Sequence, residues 1–207
     1  FGFDMNLFKD KVTSSITYFS TKTDDQTVST AVSTSTGFTA LTTNTGQTYS
    51  KGLEATLHVT PIDQPNGFRL TVGGNYTYLD NKVNYISSAL PRLALSTYGD
   101  GTGSYAVAGQ TFPMIMGFDY KRDDQGRVIV NPTTGIPSKS DTISFLGGAN
   151  PVHKLGLDGT LEYKKFKLSV TLEYRGGYSA YQSMGSNLDW SGTSWRTAIY
   201  DRKSFIF

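Results

Sequence analysis

Few residues in this chain could do covalent chemistry. There are two histidines, His58 and His153, three glutamates, Glu54, Glu162 and Glu173, and no cysteine. A general base must reach the proton it abstracts and is commonly oriented by an acidic partner, and a metal centre needs several ligands at fixed spacing. The histidines stand far apart without a matched acid in a local motif. They read as surface or lumen residues, not as bases or ligands. Serine is abundant, yet no Gly-x-Ser-x-Gly elbow occurs. Gly99-Asp100-Gly101-Thr102-Gly103 lacks the lysine and the strand–helix context of a phosphate loop and reads as a flexible loop. Asp123-Asp124-Gln125-Gly126 could offer oxygens to Ca²⁺. Without the spacing of an EF-hand loop it reads instead as a solvated hairpin tip. No enzyme and no resident cofactor are expected.

The elements that would position these residues are strands. The chain has 207 residues, of which 37% are hydrophobic and 17% charged; a typical globular chain is roughly 25% charged. It carries 27 threonines, 21 serines, 22 glycines, 13 tyrosines and 12 phenylalanines. Thr and Tyr favour strands and Gly opposes helices, so a mainly helical fold is excluded. A formal net charge of +2 gives no electrostatic case for nucleic acid. Without cysteine there is no disulfide scaffold or thiolate site. No apolar run is long enough for a transmembrane helix, and no N-terminal signal pattern is present. The chain opens on Phe1-Gly2-Phe3-Asp4, already alternating and without an initiator Met, and is expected to be a segment of a longer protein.

Period-2 alternation dominates. Tyr49, Lys51, Leu53, Ala55, Leu57 and Val59 oppose Ser50, Gly52, Glu54, Thr56, His58 and Thr60. Similar runs follow over residues 68–78, 154–163 and 167–175, and a weaker pair over 1–7 and 12–18. Such runs predict strands with one apolar and one polar face. They pair into three hairpins, near 1–22, 47–84 and 152–178, turning at Lys9-Asp10-Lys11, Asp63-Gln64-Pro65-Asn66-Gly67 and Lys164-Lys165. The other connections are long, near 23–46, 85–151 and 179–207, which is uncommon in a compact soluble domain. Within the middle one, residues 120–130 read as a hairpin and Asn131-Pro132-Thr133-Thr134-Gly135 as a second turn.

Short turns at one end, long loops at the other and strands of about ten residues are the pattern of a transmembrane β-barrel. Tyr18, Tyr49, Tyr76, Tyr78, Tyr163 and Tyr174 fall near strand ends on the apolar face, where a phenol bridges hydrocarbon and headgroups. The predicted fold is all-β: about six strands of an antiparallel transmembrane barrel with long extracellular loops. The alternative is a soluble β-sandwich, such as a carbohydrate-binding module, which also alternates.

In the barrel reading, Glu54, His58, Arg69, Lys154, Asp158, Glu162, Glu173 and Arg175 line the interior, as a solvated wall against a plug or as a substrate path. The segment after Tyr178 carries Tyr181, Trp190, Trp195, Tyr200 and Phe205 without alternation. It reads as a folded outer loop with a short helix near 194–199, whose Trp190, Trp195 and Tyr181 are candidates for loop packing, partner contact or stacking on ligand.

Three motif groups resemble a known family. Asn44-Thr45-Gly46 … Ser50-Lys51-Gly52-Leu53-Glu54 resembles the N-x-G … N-K-G-x-E strand of SusC/RagA-like TonB-dependent transporters, with Ser50 where Asn is usual. Asp123-Asp124-Gln125-Gly126 … Gly135-Ile136-Pro137 … Leu146-Gly147-Gly148-Ala149-Asn150-Pro151 is similar to its D-x-x-G … G-x-P … L-G-x-x-x-P region. Tyr163-Lys164-Lys165-Phe166-Lys167-Leu168-Ser169 … Arg175-Gly176-Gly177 is similar to its Y-K-x-F-x-L-S … R-G-G hairpin. The resemblance implies an outer-membrane barrel of Bacteroidota, plugged by a domain outside this segment. It implies energy from TonB, a SusD-like surface lipoprotein as partner, and import of oligosaccharides or peptides. It leaves open a non-transporting barrel subunit of a larger assembly.

Overall fold

The computed structural model describes residues 1–65, 67–86, 92–99 and 101–199. Asn66, Asp100, Tyr200 and Phe205, named above, lie outside them. Among the described residues ten strands form two antiparallel sheets. The larger holds β1 (Gly2–Leu7), β2 (Val12–Ala31), β3 (Ala40–Asp63), β4 (Phe68–Tyr85), β9 (His153–Tyr163) and β10 (Phe166–Gly176), in the order β1-β2-β3-β4-β9-β10. The smaller holds β5 (Arg92–Gly99), β6 (Thr102–Val107), β7 (Met114–Tyr120) and β8 (Lys139–Gly148).

The turn chemistry explains the short end of the large sheet. Leu7 pairs with Val12, and Phe8, Lys9 and Asp10 between them take left-handed backbone at φ 55°, 58° and 64°. Tyr163 pairs with Phe166 across Lys164, at φ 53°, and Lys165. The Asp63–Phe68 turn closes through Gln64 N–H donating to Phe68 O at 2.9 Å, with Gly67 at φ 87°. Its neighbour across the sheet is the Lys164 turn, whose N–H donates to Gly67 O at 3.2 Å.

Registers place the two faces. The pairs Tyr18↔Leu53, Leu53↔Tyr78 and Tyr78↔His153 lie on one face, with Ile16↔Ala55, Ala55↔Tyr76, Tyr76↔Leu155 and Leu155↔Tyr174 one rung lower. This face stays bare: Leu57 is 49% exposed, Leu157 47%, Leu168 62% and Leu172 61%. In a β-sandwich a second sheet would cover such residues about 10 Å away. Here the small sheet sits at the end of the large one and leaves the apolar face open, so the sandwich alternative is not the architecture formed.

The buried core lies instead in the small sheet and where it meets the upper end of β4. Val83, Ile86, Leu93 and Ala106 make one cluster with Leu95 and Phe112 against it; Tyr105, Met114 and Met116 make another with Ile143. The sheet is tied to the top of β4. Val83 N–H donates to Gln110 O at 2.9 Å, Gly109 N–H to Val83 O at 2.8 Å, and Asn81 Nδ2 to the Phe112 carbonyl, which also accepts from Asn150 Nδ2.

Three expectations are corrected. The connection near 23–46 is mostly strand: β2 runs to Ala31 and β3 starts at Ala40. Thr and Ser recur at both odd and even positions of this ribbon, so no alternation marks it. The middle connection is a four-stranded sheet, not only a hairpin and a turn. β6 and β7 are buried on both faces, so Ser104-Tyr105-Ala106 and Met114-Ile115-Met116 read as short runs without alternation. Gly99 and Gly101–Gly103 belong to the β5–β6 hairpin, where Gly99 pairs with Thr102. The expected 120–130 hairpin forms by Ile129 N–H to Lys121 O at 2.8 Å and Asp123 N–H to Arg127 O at 3.0 Å.

Because Leu93 is almost fully buried, Leu93→Ala in the full-length protein is expected to destabilise the small sheet by ~2–4 kcal/mol. Amide exchange should quicken across β5–β7 and stay unchanged in β9 and β10.

Candidate functional site

The polar face of the large sheet gathers residues that are distant in sequence into cross-strand rungs. One runs Asp63, Arg69, Glu162, Lys167, alternating in sign across four strands. Lys167 Nζ reaches Glu162 Oε1 at 2.9 Å. The next carries Thr71, Thr160 and Ser169, with Thr160 Oγ1 and Ser169 Oγ 3.2 Å apart.

A third rung runs Thr13, His58, Gly73, Asp158, Thr171. His58 Nε2 lies 3.4 Å from Asp158 Oδ1, across an intervening strand. The gap at Gly73 makes this reach possible: a Cβ there would fall 2.2 Å from His58 Cδ2 and 2.8 Å from Asp158 Oδ1. His58 therefore does have an acid partner, supplied by the fold and absent from any local motif. The pair is half-exposed and charged when the imidazole is protonated.

The fourth rung sets Asn75 over Gly156, next to Glu173. The fifth holds Thr17, Glu54, Thr77, Lys154 and Arg175. Arg175 Nε donates to Glu173 Oε1 at 2.5 Å along its own strand. Thus Glu54, His58, Arg69, Asp158, Glu162, Glu173 and Arg175 share one face. His58 and Asp158 meet, as do Glu173 and Arg175, while Glu54 faces only threonines across its strand pairs. Asp63, Asn75 and Lys167 complete the rungs; only cross-strand register, which the sequence does not print, could have found them. Among the described residues no group of three His, Cys, Asp or Glu could hold a metal ion.

The opposite face is banded. At the short-turn end Phe68 and Tyr163 meet edge-on with ring centroids 6.2 Å apart, beside Phe166. At the other end Tyr76 and Tyr78 flank His153, whose Nδ1 lies 2.8 Å from the Tyr76 hydroxyl. His153 is thus on the apolar side, not in the lumen. From Phe68 to Tyr78 the strand climbs roughly 33 Å along its axis, or about 25 Å at a tilt of roughly 40°. That matches the height of a barrel's apolar band.

Beyond β10, α1 (Ser183–Ser191) and α2 (Trp195–Ala198) form a small helical unit. Arg196 Nη2 binds Asp189 Oδ2 at 2.6 Å, and Ser194 Oγ binds the other Asp189 oxygen. Tyr181 stacks on Tyr98 of β5 with centroids 4.7 Å apart, so it anchors this segment to the small sheet. Trp190 and Trp195 face outward, 94% and 70% exposed.

Asp123 is committed to its own hairpin. Its Oδ1 accepts from the N–H groups of Gln125 and Arg127 at 2.9 Å each, and Oδ2 accepts from Arg127 Nε at 2.7 Å. These donors, the Arg127 backbone first, hold its pKa below the usual aspartate value of 3.8. Both oxygens of this carboxylate thus accept hydrogen bonds within the turn.

Residues 1–138 match the family model described as TonB dependent receptor-like, beta-barrel. The chain belongs to this family. The resemblance drawn from its motifs agrees. Solved structures of this fold include the RagAB peptide transporter, at 16% identity and a TM-score of 0.64 over 85% of this chain. The RagAB peptide importer in its open-open state matches at 14% identity and a TM-score of 0.61 over 86%. At such identity the likeness is one of fold. The chain spans about a fifth of the length of those chains. No curated protein matches it. For a TonB-dependent receptor barrel, the apolar face is the membrane side, the polar face the interior, and the short turns the periplasmic end.

Two outcomes follow. In the wild-type receptor, a double-mutant cycle with His58→Ala and Asp158→Ala is expected to show coupling on the order of 0.5 kcal/mol. In a Gly73→Ala background that coupling should vanish, because the new methyl displaces the imidazole. Asp123, with its folded pKa lowered, contributes hairpin order fully above its ordinary value of 3.8 and loses it as pH falls further. Proteolysis of the 121–130 hairpin should therefore be flat from neutral pH down to about that value and quicken below it, while Asp123→Ala should be cleaved faster near neutral pH and converge with the wild type as Asp123 becomes protonated.

Proposed function

We propose that the chain is part of the barrel wall of a SusC/RagA-type TonB-dependent transporter in the cell outer membrane, importing oligosaccharides or peptides. The observation that carries this is the two-faced large sheet: a bare apolar band between aromatic rows outside, and rungs of paired charges inside. RagAB, whose barrel shares this fold, is a peptide importer, which supports peptides as cargo.

The wall performs no covalent step. Its interior supplies hydrogen bonds and balanced charge to whatever fills the lumen. A plug domain outside this segment occupies that space and receives TonB. The small sheet and the helical unit, both at the extracellular end, offer Trp190 and Trp195 to a SusD-like lipoprotein. Strands β1 and β10 are the edges of the described sheet, and neighbouring strands of the full barrel pair with them, because an open edge is not tolerated in hydrocarbon.

Uptake of labelled oligosaccharide or peptide by cells lacking and regaining the full-length protein tests this reading. Uptake should fail without the protein and without TonB function; uptake unchanged in both would assign the barrel a structural role. The membrane orientation has its own check. Leu157→Arg, on the lipid face, should cost ~2–4 kcal/mol in denaturant unfolding of the vesicle-inserted barrel, while Thr171→Arg, inside beside Asp158, should cost well under 1 kcal/mol.

A further inference from the structure

Directly above the upper aromatic row, the outward face stops being apolar. The next rung is Ser20, Lys51, Asp80, and the one above it Lys22, Tyr49, Lys82. These positions continue the parity of Tyr18, Leu53 and Tyr78, so they look out toward the membrane and not into the lumen. Over them runs Asp24, hydrogen-bonded to Gln47 Nε2 at 2.6 Å, with Asn84 Nδ2 donating to Gln47 Oε1 at 2.5 Å.

Lys51 Nζ thus lies 5.9 Å from the centroid of the Tyr49 ring, and Lys22 and Lys82 pair with Tyr49 on its two neighbouring strands. Asp80 lies 3.7 Å from Lys51 Nζ and 3.5 Å from Lys82 Nζ, and Asp24 lies 3.4 Å from Lys22 Nζ. Two carboxylates against three lysines leave the patch cationic, and they hold the lysines beside Tyr49. The Tyr49 oxygen accepts from Ser20 Oγ at 3.3 Å, which leaves its own hydrogen to donate. Lys22, Tyr49 and Lys82, with Gln47 of β3, Asn84 of β4 and Gly109 of the β6–β7 connection, line a cleft of about 220 Å³.

Cations placed one rung beyond the tyrosine row sit at headgroup depth on the extracellular leaflet. A ligand arriving there is tethered by acyl chains lying along Leu53, Tyr76 and Leu155 below. From this juxtaposition we infer that Lys22, Tyr49 and Lys82 form a binding site for a phosphate on the headgroup of an outer-leaflet glycolipid. Lysine is a strongly hydrated point-charge donor suited to phosphate oxygens. Asp80 and Asp24 give way by turning their lysines toward the anion. The bound lipid would seal the seam where the small sheet leaves the membrane surface. This inference rests on the membrane orientation proposed above.

The test uses the full-length protein inserted in phosphatidylcholine vesicles containing bisphosphorylated lipid A, with lipid retained after detergent extraction measured by native mass spectrometry. The wild type should retain bisphosphorylated lipid A and release the dephosphorylated form. The double variant Lys22→Ala/Lys82→Ala should retain on the order of tenfold less, whereas Lys164→Ala/Lys165→Ala at the opposite rim should match the wild type. Millimolar inorganic phosphate should not displace the lipid. Equal retention by the Lys22→Ala/Lys82→Ala variant, or equal retention of the dephosphorylated lipid, would overturn the site. Ready displacement by inorganic phosphate would assign it to the free anion and overturn the lipid. Heat-modifiable electrophoretic mobility reports insertion separately. Insertion without retention removes the lipid site alone; failure to insert removes the orientation and the site with it.

Discussion

The pairing of β4 with β9 is the constraint on which the rest depends. These strands are separated in the chain by the whole of the small sheet, yet they meet in unbroken register from Phe68↔Tyr163 to Tyr78↔His153. A slip of one residue would turn every side chain of β9 and β10 to the other face. Leu155, Leu157 and Leu161 would enter the wet interior, and Asp158 and Glu162 would enter hydrocarbon. The register is held because both faces select it at once. Outside, the Phe68–Tyr163 contact and the Tyr76–His153 hydrogen bond lock the two ends of the pairing. Inside, Arg69 meets Glu162 and Gly73 opens the gap through which His58 reaches Asp158.

That constraint also explains the insertion between the strands. Residues 92–148 leave at the top of β4 and return to the foot of β9's upper end, so they must fold outside the membrane. There the ordinary rule of a buried core applies, and Leu93, Ala106, Met114 and Met116 are hidden in it. In the large sheet the rule is inverted: its leucines are bare, and in the proposed orientation lipid is their missing layer. One chain thus carries two solvents' worth of patterning, and its low hydrophobic fraction reflects a wet interior and a wet superstructure, not a poor core.

This division decides what the sequence made legible. Where one face meets lipid and the other water, alternation is strict, and the hairpins near 47–84 and 152–178 could be read directly. Where Thr and Ser occupy both faces, as in the ribbon of β2 and β3, or both faces are buried, as in β6 and β7, period 2 disappears. Those strands are invisible without tertiary context. The interior residues were legible as a face but not as partners. His58 seemed to lack an acid because Asp158 arrives two strands away, and His153 turned out to stand among the lipid-facing tyrosines. Lys51 stands in the alternating series of Tyr49 and Leu53, but the neighbouring Lys22 and Lys82 join it only through cross-strand register.

The central claim is that Leu157 and Asp158, adjacent in sequence, face different solvents. The chain contains no cysteine, so single cysteines can be placed along β9 and β10 and challenged with a membrane-impermeant thiol reagent in the inserted full-length barrel. Labelling should alternate, with Asp158→Cys and Thr171→Cys modified and Leu157→Cys and Leu172→Cys protected. Uniform labelling along both strands, or the opposite phase, would contradict it.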